Sequence, residues 1–448
     1  MKTNIYILLY LFALNSTAQE GFKIEGNFSN TKQKEIRLVG FVGTKDTLLS
    51  QTITDTVGNF SFLYNSKYSG AATIQVKESS SIIILLNKEN VGISWSDIKE
   101  FNTVQFSKSK ENEWFQKGYN LNVAAQKKLA GLNYLLPLYQ KEETKKAWSV
   151  KLETEIQFQA ASFTEYLKKL PNASYCKAYL NYRDILQQLQ NKNKAKAEEI
   201  AKQDSFLAID FGSINLYHSG LVKELFDEYL KQQLSLSNPE MVLKKINAFS
   251  DIMKQKTQNN AMILNEYSEY LLQQYEKNGI IAAAEHLALS LLDDTKCSID
   301  SKRIPLLEQY KKMAIGNEAP SLALFNSKYK TLAAIPSQYK VVVFGASWCE
   351  ACKNEIPQFN EYTAIFKTKY NTEIVFIALD KDKENYNNFT KDFTFISSCD
   401  YKGWESPNVK NYYVFATPTI FIIDDKNKIV AKPATAIQSA AWLYSNNK

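Results

Sequence analysis

The chain carries one pair of cysteines at positions 349 and 352, and the pair stands where an apolar run hands over to a helical pattern. Val341-Val342-Val343-Phe344 reads as a strand buried on both faces, and Glu350 to about Tyr370 as the helix that follows it. Cys349 then lies at a helix N-terminus, where unpaired backbone N–H groups and the positive end of the helix dipole stabilise a thiolate. Two intervening residues let the second sulfur reach back to the first within one turn. A mixed disulfide formed at Cys349 can therefore be resolved by Cys352. A second apolar run, Ile374 to Leu379, follows the helix, and a third covers Thr419 to Ile423 before the Asp424-Asp425-Lys426-Asn427 turn. The first strand, helix and second strand make a βαβ unit, so a parallel pair under helical cover is expected.

A C-x-x-C pair has other uses. A zinc half-site needs a second such pair or histidines, and this region has neither. A permanently closed structural disulfide and an inactive remnant of a redox domain also remain open. Strand context, spacing and helix onset agree best with a working redox dithiol. Trp348, immediately before it, is placed to shield one side.

Composition narrows the alternatives. The 448 residues carry 54 basic and 47 acidic side chains, a net charge of +7, which is mild for this length. Only Arg37, Arg183 and Arg303 are arginines. Reading phosphate or guanine favours the guanidinium fork, so nucleic-acid binding is not expected. The two histidines, His218 and His286, are far apart and outside the last third, which argues against a Ser-His-Asp hydrolase or a histidine-rich metal site. Neither a metal nor a cofactor is expected. Five cysteines are too few to staple a fold of this size. Cys176 and Cys297 read as lone buried thiols, with a disulfide between them as the alternative. Cys399 reads as a buried strand-end residue, with an extra redox partner as the alternative.

The chain reads as multidomain. Lys2, the apolar run Ile5 to Leu14 and the small residues Ser16 and Ala18 have the form of a secretory signal peptide over 1–18. That run is shorter than the roughly 20 residues a membrane span needs. Without a cysteine at its end, lipid attachment has no acceptor. A soluble, exported protein without a transmembrane segment, in a bacterial periplasm, is expected. Residues 19–110 alternate apolar and polar positions, as in Phe22-Lys23-Ile24-Glu25 and Asn59-Phe60-Ser61-Phe62, with turn signals every eight to twelve residues; an antiparallel β-sandwich-like domain is expected. Residues 111–312 hold five of the fifteen glycines and favour long helices. There Asn238 and Pro239 cap a helix whose Val242, Ile246, Phe249 and Met253 share a face. His218 and His286 read as helix-face residues. Residues 315–448 are an alternating strand and helix chain.

Three ordered motifs in this last segment resemble the thioredoxin-like disulfide reductases of the TlpA and ResA group. They are Ile315-Gly316-Asn317-Glu318-Ala319-Pro320, Trp348-Cys349-Glu350-Ala351-Cys352 and Ala416-Thr417-Pro418-Thr419, and the resemblance they mark covers about the last 30% of the chain. The β-rich N-terminal segment is similar, more loosely, to the domain often fused to such reductases in Bacteroidetes. The resemblance implies an α/β thioredoxin fold for 315–448 and a periplasmic thiol–disulfide oxidoreductase that reduces protein disulfides. It implies Cys349 as nucleophile and Cys352 as resolving thiol, the two closing as a redox-active disulfide. It implies a cis Pro418 against them, with Thr417 offering backbone groups to substrate. Glu355 falls where this group carries a carboxylate near the sulfurs. It reads either as a proton shuttle or as an exposed first-turn glutamate favourable to the helix dipole. Val343 stands where thioredoxins proper carry a buried aspartate, and Ala351 replaces a common proline, so the redox potential does not carry over. Expected partners are disulfide-bearing proteins and an upstream thiol donor of electrons; a homodimer is an open possibility. The other readings are an oxidase or isomerase with the same dithiol, and an envelope binding module with a vestigial redox domain.

Overall fold

The computed structural model describes residues 21–29, 31–76, 80–97, 100, 103–141, 146–190, 203–293 and 300–446. The expected signal peptide and Cys297 lie outside them. The chain divides into two compact units, one ending at Tyr229 and the other beginning at Leu230. The helical stretch expected over 111–312 is thus shared between them.

The first unit opens with eight strands: β1 (Gly21–Phe28), β2 (Glu35–Val42), β3 (Lys45–Ile53), β4 (Asn59–Asn65), β5 (Ser69–Val76), β6 (Ser81–Asn87), β7 (Val91–Trp95) and β8 (Val104–Ser107). They form two four-stranded sheets, ordered β4-β1-β7-β8 and β3-β2-β5-β6. Ile24, Phe28 and Phe62 of one sheet share a core with Ile36, Leu38 and Ile84 of the other. Burying each such side chain is worth about 1.5–3 kcal/mol, and in β4 strict alternation puts every second residue there. The expected sandwich is therefore present, with one difference. β1 and β7 run parallel, Phe28 opposite Trp95, which puts one parallel pair in an otherwise antiparallel sheet. Their rings meet edge to face at 5.5 Å. Gly58 turns the chain between β3 and β4 at φ +89°, and a Cβ there would come within 2.3 Å of the Phe28 carbonyl.

Three long helices follow, α1 (Lys110–Gln140), α2 (Lys146–Lys169) and α3 (Tyr175–Gln190). Ser109 caps α1 by accepting from the Asn112 N–H. Glu111, 6% exposed, accepts from the backbone N–H groups of Tyr175 and Cys176, so a buried carboxylate caps α3 from another helix. Cys176 is a buried free thiol whose pKa burial pushes well up. His218 packs its ring on Tyr68 and its Nδ1 meets the Ser69 carbonyl at 2.9 Å, a structural placement.

The second unit begins with α4 (Pro239–Thr257), α5 (Ala261–Lys277), α6 (Ile281–Leu292) and α7 (Ile304–Lys312). The expected cap is there, with Asn238 Oδ1 accepting from Glu240 and Met241. Ile246, Phe249 and Met253 are fully buried, whereas Val242 on the same face is half-buried. His286 Nε2 lies 2.7 Å from Asp251 on the surface of this segment.

A five-stranded sheet then forms from β9 (Tyr339–Gly345), β10 (Thr372–Ala378), β11 (Ile396–Cys399), β12 (Thr419–Asp424) and β13 (Ile429–Ala431), in the order β11-β10-β9-β12-β13. β9, β10 and β11 are parallel, while β12 and β13 are antiparallel additions. Val341 to Phe344 have no exposure because helices cover both faces, as a two-sided apolar run requires. The connecting helix differs from the single one expected. It comprises α8 (Glu350–Glu355), a 3₁₀ turn over Ile356–Gln358, and α9 (Phe359–Tyr370). Pro357 supplies the break, since it has no N–H to donate and its ring crowds the preceding turn. α10 (Lys383–Thr390), α11 (Pro407–Asn411) and α12 (Ala436–Asn446) complete the unit.

Candidate active site

β9 ends at Gly345, and a Cβ there would meet Ile356 Cδ1 at 2.4 Å and Cys352 Sγ at 3.2 Å. Glycine lets the dithiol turn fold tightly over the strand end. Cys349 takes the N-cap position of α8, and its sulfur accepts from the Cys352 N–H at 3.2 Å. Both cysteines are free thiols. Cys349 is 9% exposed and Cys352 not at all, so approach from solvent meets Cys349 first. Burial, with the neighbouring Cys349 sulfur second, pushes the Cys352 thiol up to about 12.

The Thr417–Pro418 peptide is cis, and the Thr417 carbonyl accepts from Cys349 Sγ at 3.4 Å. Thr419 holds this loop by donating its hydroxyl to the Ala416 carbonyl at 2.7 Å. The two ordered motifs expected to meet are thus brought together. Trp348 is 54% exposed beside the dithiol, with its ring 6.2 Å from that of Trp404.

Glu355 sits at the end of α8, where its Oε1 accepts from the Ala436 N–H at 2.5 Å. It therefore caps α12 and is half-buried, unlike the exposed first-turn alternative. Cys399 ends β11 with 2% exposure, donates to the Asp380 carbonyl at 3.4 Å, and has its thiol pushed up to about 11 by burial.

Two features were not found from the sequence. Asp380, two residues past the end of β10, is 1% exposed, and both of its carboxylate oxygens accept from the Ser347 N–H at 3.2 Å. The Ser347 hydroxyl donates to it as well. Burial raises its pKa, and the Ser347 bonds oppose that rise. The available signal was a carboxylate at the C-terminal end of the strand adjoining β9, where open α/β sheets gather their sites. The second feature is a groove of about 800 Å³ whose lining includes Ala351, Glu355, Thr417, Pro418 and, from the helical segment, Leu236, Val242 and Ile281. Among the described residues no cluster of His, Cys, Asp and Glu could hold a metal ion.

A mixed sheet whose central strand delivers a Cys-x-x-C pair to a helix N-terminus, faced by a cis-proline loop, is the thioredoxin fold. Residues 337–429 match a family described as thioredoxin-like. Over 126 residues the chain is 34% identical to the thiol–disulfide oxidoreductase ResA of Bacillus thuringiensis subsp. konkukian, covering 27% of this chain and 69% of that protein. It is 29% identical over 114 residues to the sporulation thiol–disulfide oxidoreductase A of Bacillus subtilis, covering 23% and 66%. Among solved structures, a thiol–disulfide oxidoreductase from Bacteroides fragilis aligns with 24% identity and TM-score 0.27, covering 29% of this chain and 98% of that one. A thioredoxin-like protein from Bacteroides caccae aligns at 14% identity and TM-score 0.40, covering 57% and 96%. The chain belongs to the ResA-type thioredoxin-like thiol–disulfide oxidoreductases. Its activity is thiol–disulfide exchange.

Proposed function

We propose that the protein reduces protein disulfides outside the cytoplasm, using Cys349 and Cys352 as its redox pair. The observation that carries this is the unequal burial of the two sulfurs, 9% and 0% exposed, with the Cys352 N–H aimed at Cys349. Cys349, as thiolate, attacks one sulfur of a substrate disulfide, and the other substrate sulfur leaves as a thiolate that takes up a proton. The Cys352 thiol then gives up its proton and attacks Cys349 Sγ. The mixed disulfide breaks, the second substrate thiol leaves, and Cys349–Cys352 closes as a disulfide. An upstream dithiol returns the two electrons. Trp348, Thr417 and Pro418 border the reacting sulfur and are the contacts for substrate.

The proton on Cys352 needs an acceptor because burial holds the thiol neutral. Glu355, the carboxylate at the end of α8, is our candidate for that transfer, directly or through water. Export rests on the form of residues 1–18; among the described residues no helix is long and apolar enough to cross a membrane.

Insulin reduction by the mature protein tests the reading. Activity abolished by Cys349→Ser supports it, and activity surviving that substitution sinks it. Direction is tested by redox titration against glutathione: a potential near roughly −270 mV makes a reductase, and one near −120 mV an oxidant.

A further inference from the structure

The groove beside the cis-proline loop has two unlike sides. Thr417 and Pro418 form the side nearest the dithiol, since the Thr417 carbonyl is 3.4 Å from Cys349 Sγ. A second part of the lining, its wall, comes from the helical segment that precedes the redox domain, through Leu236, Val242, Ile280 and Ile281. All four are half-buried, although Ile246 and Phe249 of α4 and Ala283 and Ala284 of α6 have no exposure at all. Apolar side chains held partly open beside a reactive sulfur mark a place where a further apolar group is to be received.

The wall is fixed to the redox domain. Lys432, just after β13, forms an ion pair with Glu285 of α6, and the two side chains are only 13% and 14% exposed. Tyr310 of α7 meets Tyr413 edge to face at 5.0 Å, and Glu276 of α5 accepts from both hydroxyls. These ties hold the helices against the segment that leads into the cis-proline loop. The groove is preformed, and its occupant does not have to order it. A volume of about 800 Å³ holds a few large side chains of an extended segment and no folded domain. Its charge is also one-sided. Lys432 is neutralised by Glu285, while Glu240 and Glu355 line the groove as carboxylates. An acidic occupant would be repelled.

We propose that the helical segment is the substrate-selecting wall of the enzyme, choosing extended polypeptide segments with a large apolar residue beside the disulfide cysteine and no acidic residue next to it. This rests on the disulfide-exchange reading of Cys349 and assigns it a substrate class. No new chemistry is involved: the same two electrons pass from the dithiol to the substrate disulfide.

The test uses the reduced full-length mature protein and three probes. Two are short peptides joined by a disulfide to a chromophoric thiol, with Leu or Asp beside the cysteine; the third is hydroxyethyl disulfide. The readout is the rate with each peptide divided by the rate with the small disulfide in the same sample, which does not depend on how much protein is folded. Wild type should favour the Leu peptide over the Asp peptide by about tenfold or more. The Leu236→Ser/Ile281→Ser double variant should lose most of that preference, and Ile281→Val should keep it. Equal ratios for the two peptides in wild type, or an unchanged preference in the double variant, would overturn the wall. Absence of any reaction with hydroxyethyl disulfide would instead remove the redox reading itself, and the wall with it.

Discussion

Asp380 accepts the backbone N–H of Ser347 on both carboxylate oxygens and the Ser347 hydroxyl on one of them. The residue is 1% exposed, so a buried carboxylate holds the turn two residues ahead of the nucleophile. A hydrogen bond to a charged group is worth about 1.5–3 kcal/mol, enough to fix that turn against thermal motion. Asp380 is a positioning residue: it touches Ser347 and acts on Cys349 only through the loop.

Asp380→Asn leaves one acceptor and places an amide donor against a donor of Ser347. Reduction of an insulin-type substrate should slow by roughly tenfold, the equivalent of about 1.4 kcal/mol. Stability should move the other way with pH. Burial raises the carboxyl pKa, so its contribution is present below the unfolded value of about 3.9 and is lost as pH rises through the folded value. The Tm difference, variant minus wild type, should therefore grow in the variant's favour from pH 4 to pH 7. Thermal scans at those two pH values check it, and a constant difference counts against the buried charge.

Cys352 has its thiol pushed up to about 12 and Cys399 to about 11, both by burial. At pH 8 each is thiolate in at most about one molecule in a thousand. Brief iodoacetamide treatment of the reduced native protein should therefore label Cys349 ahead of both, as read by peptide mass spectrometry. The sign for stability follows: these groups favour the protonated folded state, so their contribution is lost as pH climbs from about 8.5 toward about 11 and 12. Urea midpoints of the reduced protein should fall over that interval, and Cys399→Ala should reduce the slope.

Glu355→Gln keeps an oxygen to accept from Ala436 but cannot take a proton. Release of the mixed disulfide should slow by about a hundredfold with little change in Tm. Glu355→Ala should lose about 1 kcal/mol in addition, from the uncapped start of α12. Single-turnover release at the full rate in the Gln variant would leave Glu355 with the capping role alone.

Glu111→Ala should unfold the first unit more easily, by about 3 kcal/mol, because two backbone donors at the start of α3 lose a charged acceptor. Glu111→Gln should cost less, since one amide oxygen remains. Urea denaturation followed by tyrosine and tryptophan fluorescence measures both, and equal costs would mean the charge contributes nothing.

The dithiol, its strand and its helix were legible because their signals are local. Val341 to Phe344 are apolar at every position, the cysteines are two residues apart, and helix onset follows at once. The Asn238 cap and the alternation in β4 are local in the same sense. The break at Pro357 had its residue in plain view, but the surrounding helical pattern outweighed it. The parallel pairing of β1 with β7 had no local signal, because direction depends on how many strands intervene.

Residue order alone determined the chemistry available to this protein: one Cys-x-x-Cys pair, no histidine near it, and a proline loop 66 residues beyond the second cysteine. Tertiary structure decided how that chemistry is set. Which sulfur faces solvent, that Asp380 holds Ser347, that Glu355 reaches Ala436, and that Leu236 and Ile281 line one groove with Thr417 all join residues 33 to 181 positions apart. Spacing along a chain encodes helix and strand periodicity over a few residues. Burial and the electrostatics that follow from it depend on what packs from elsewhere, and only the folded chain supplies those neighbours.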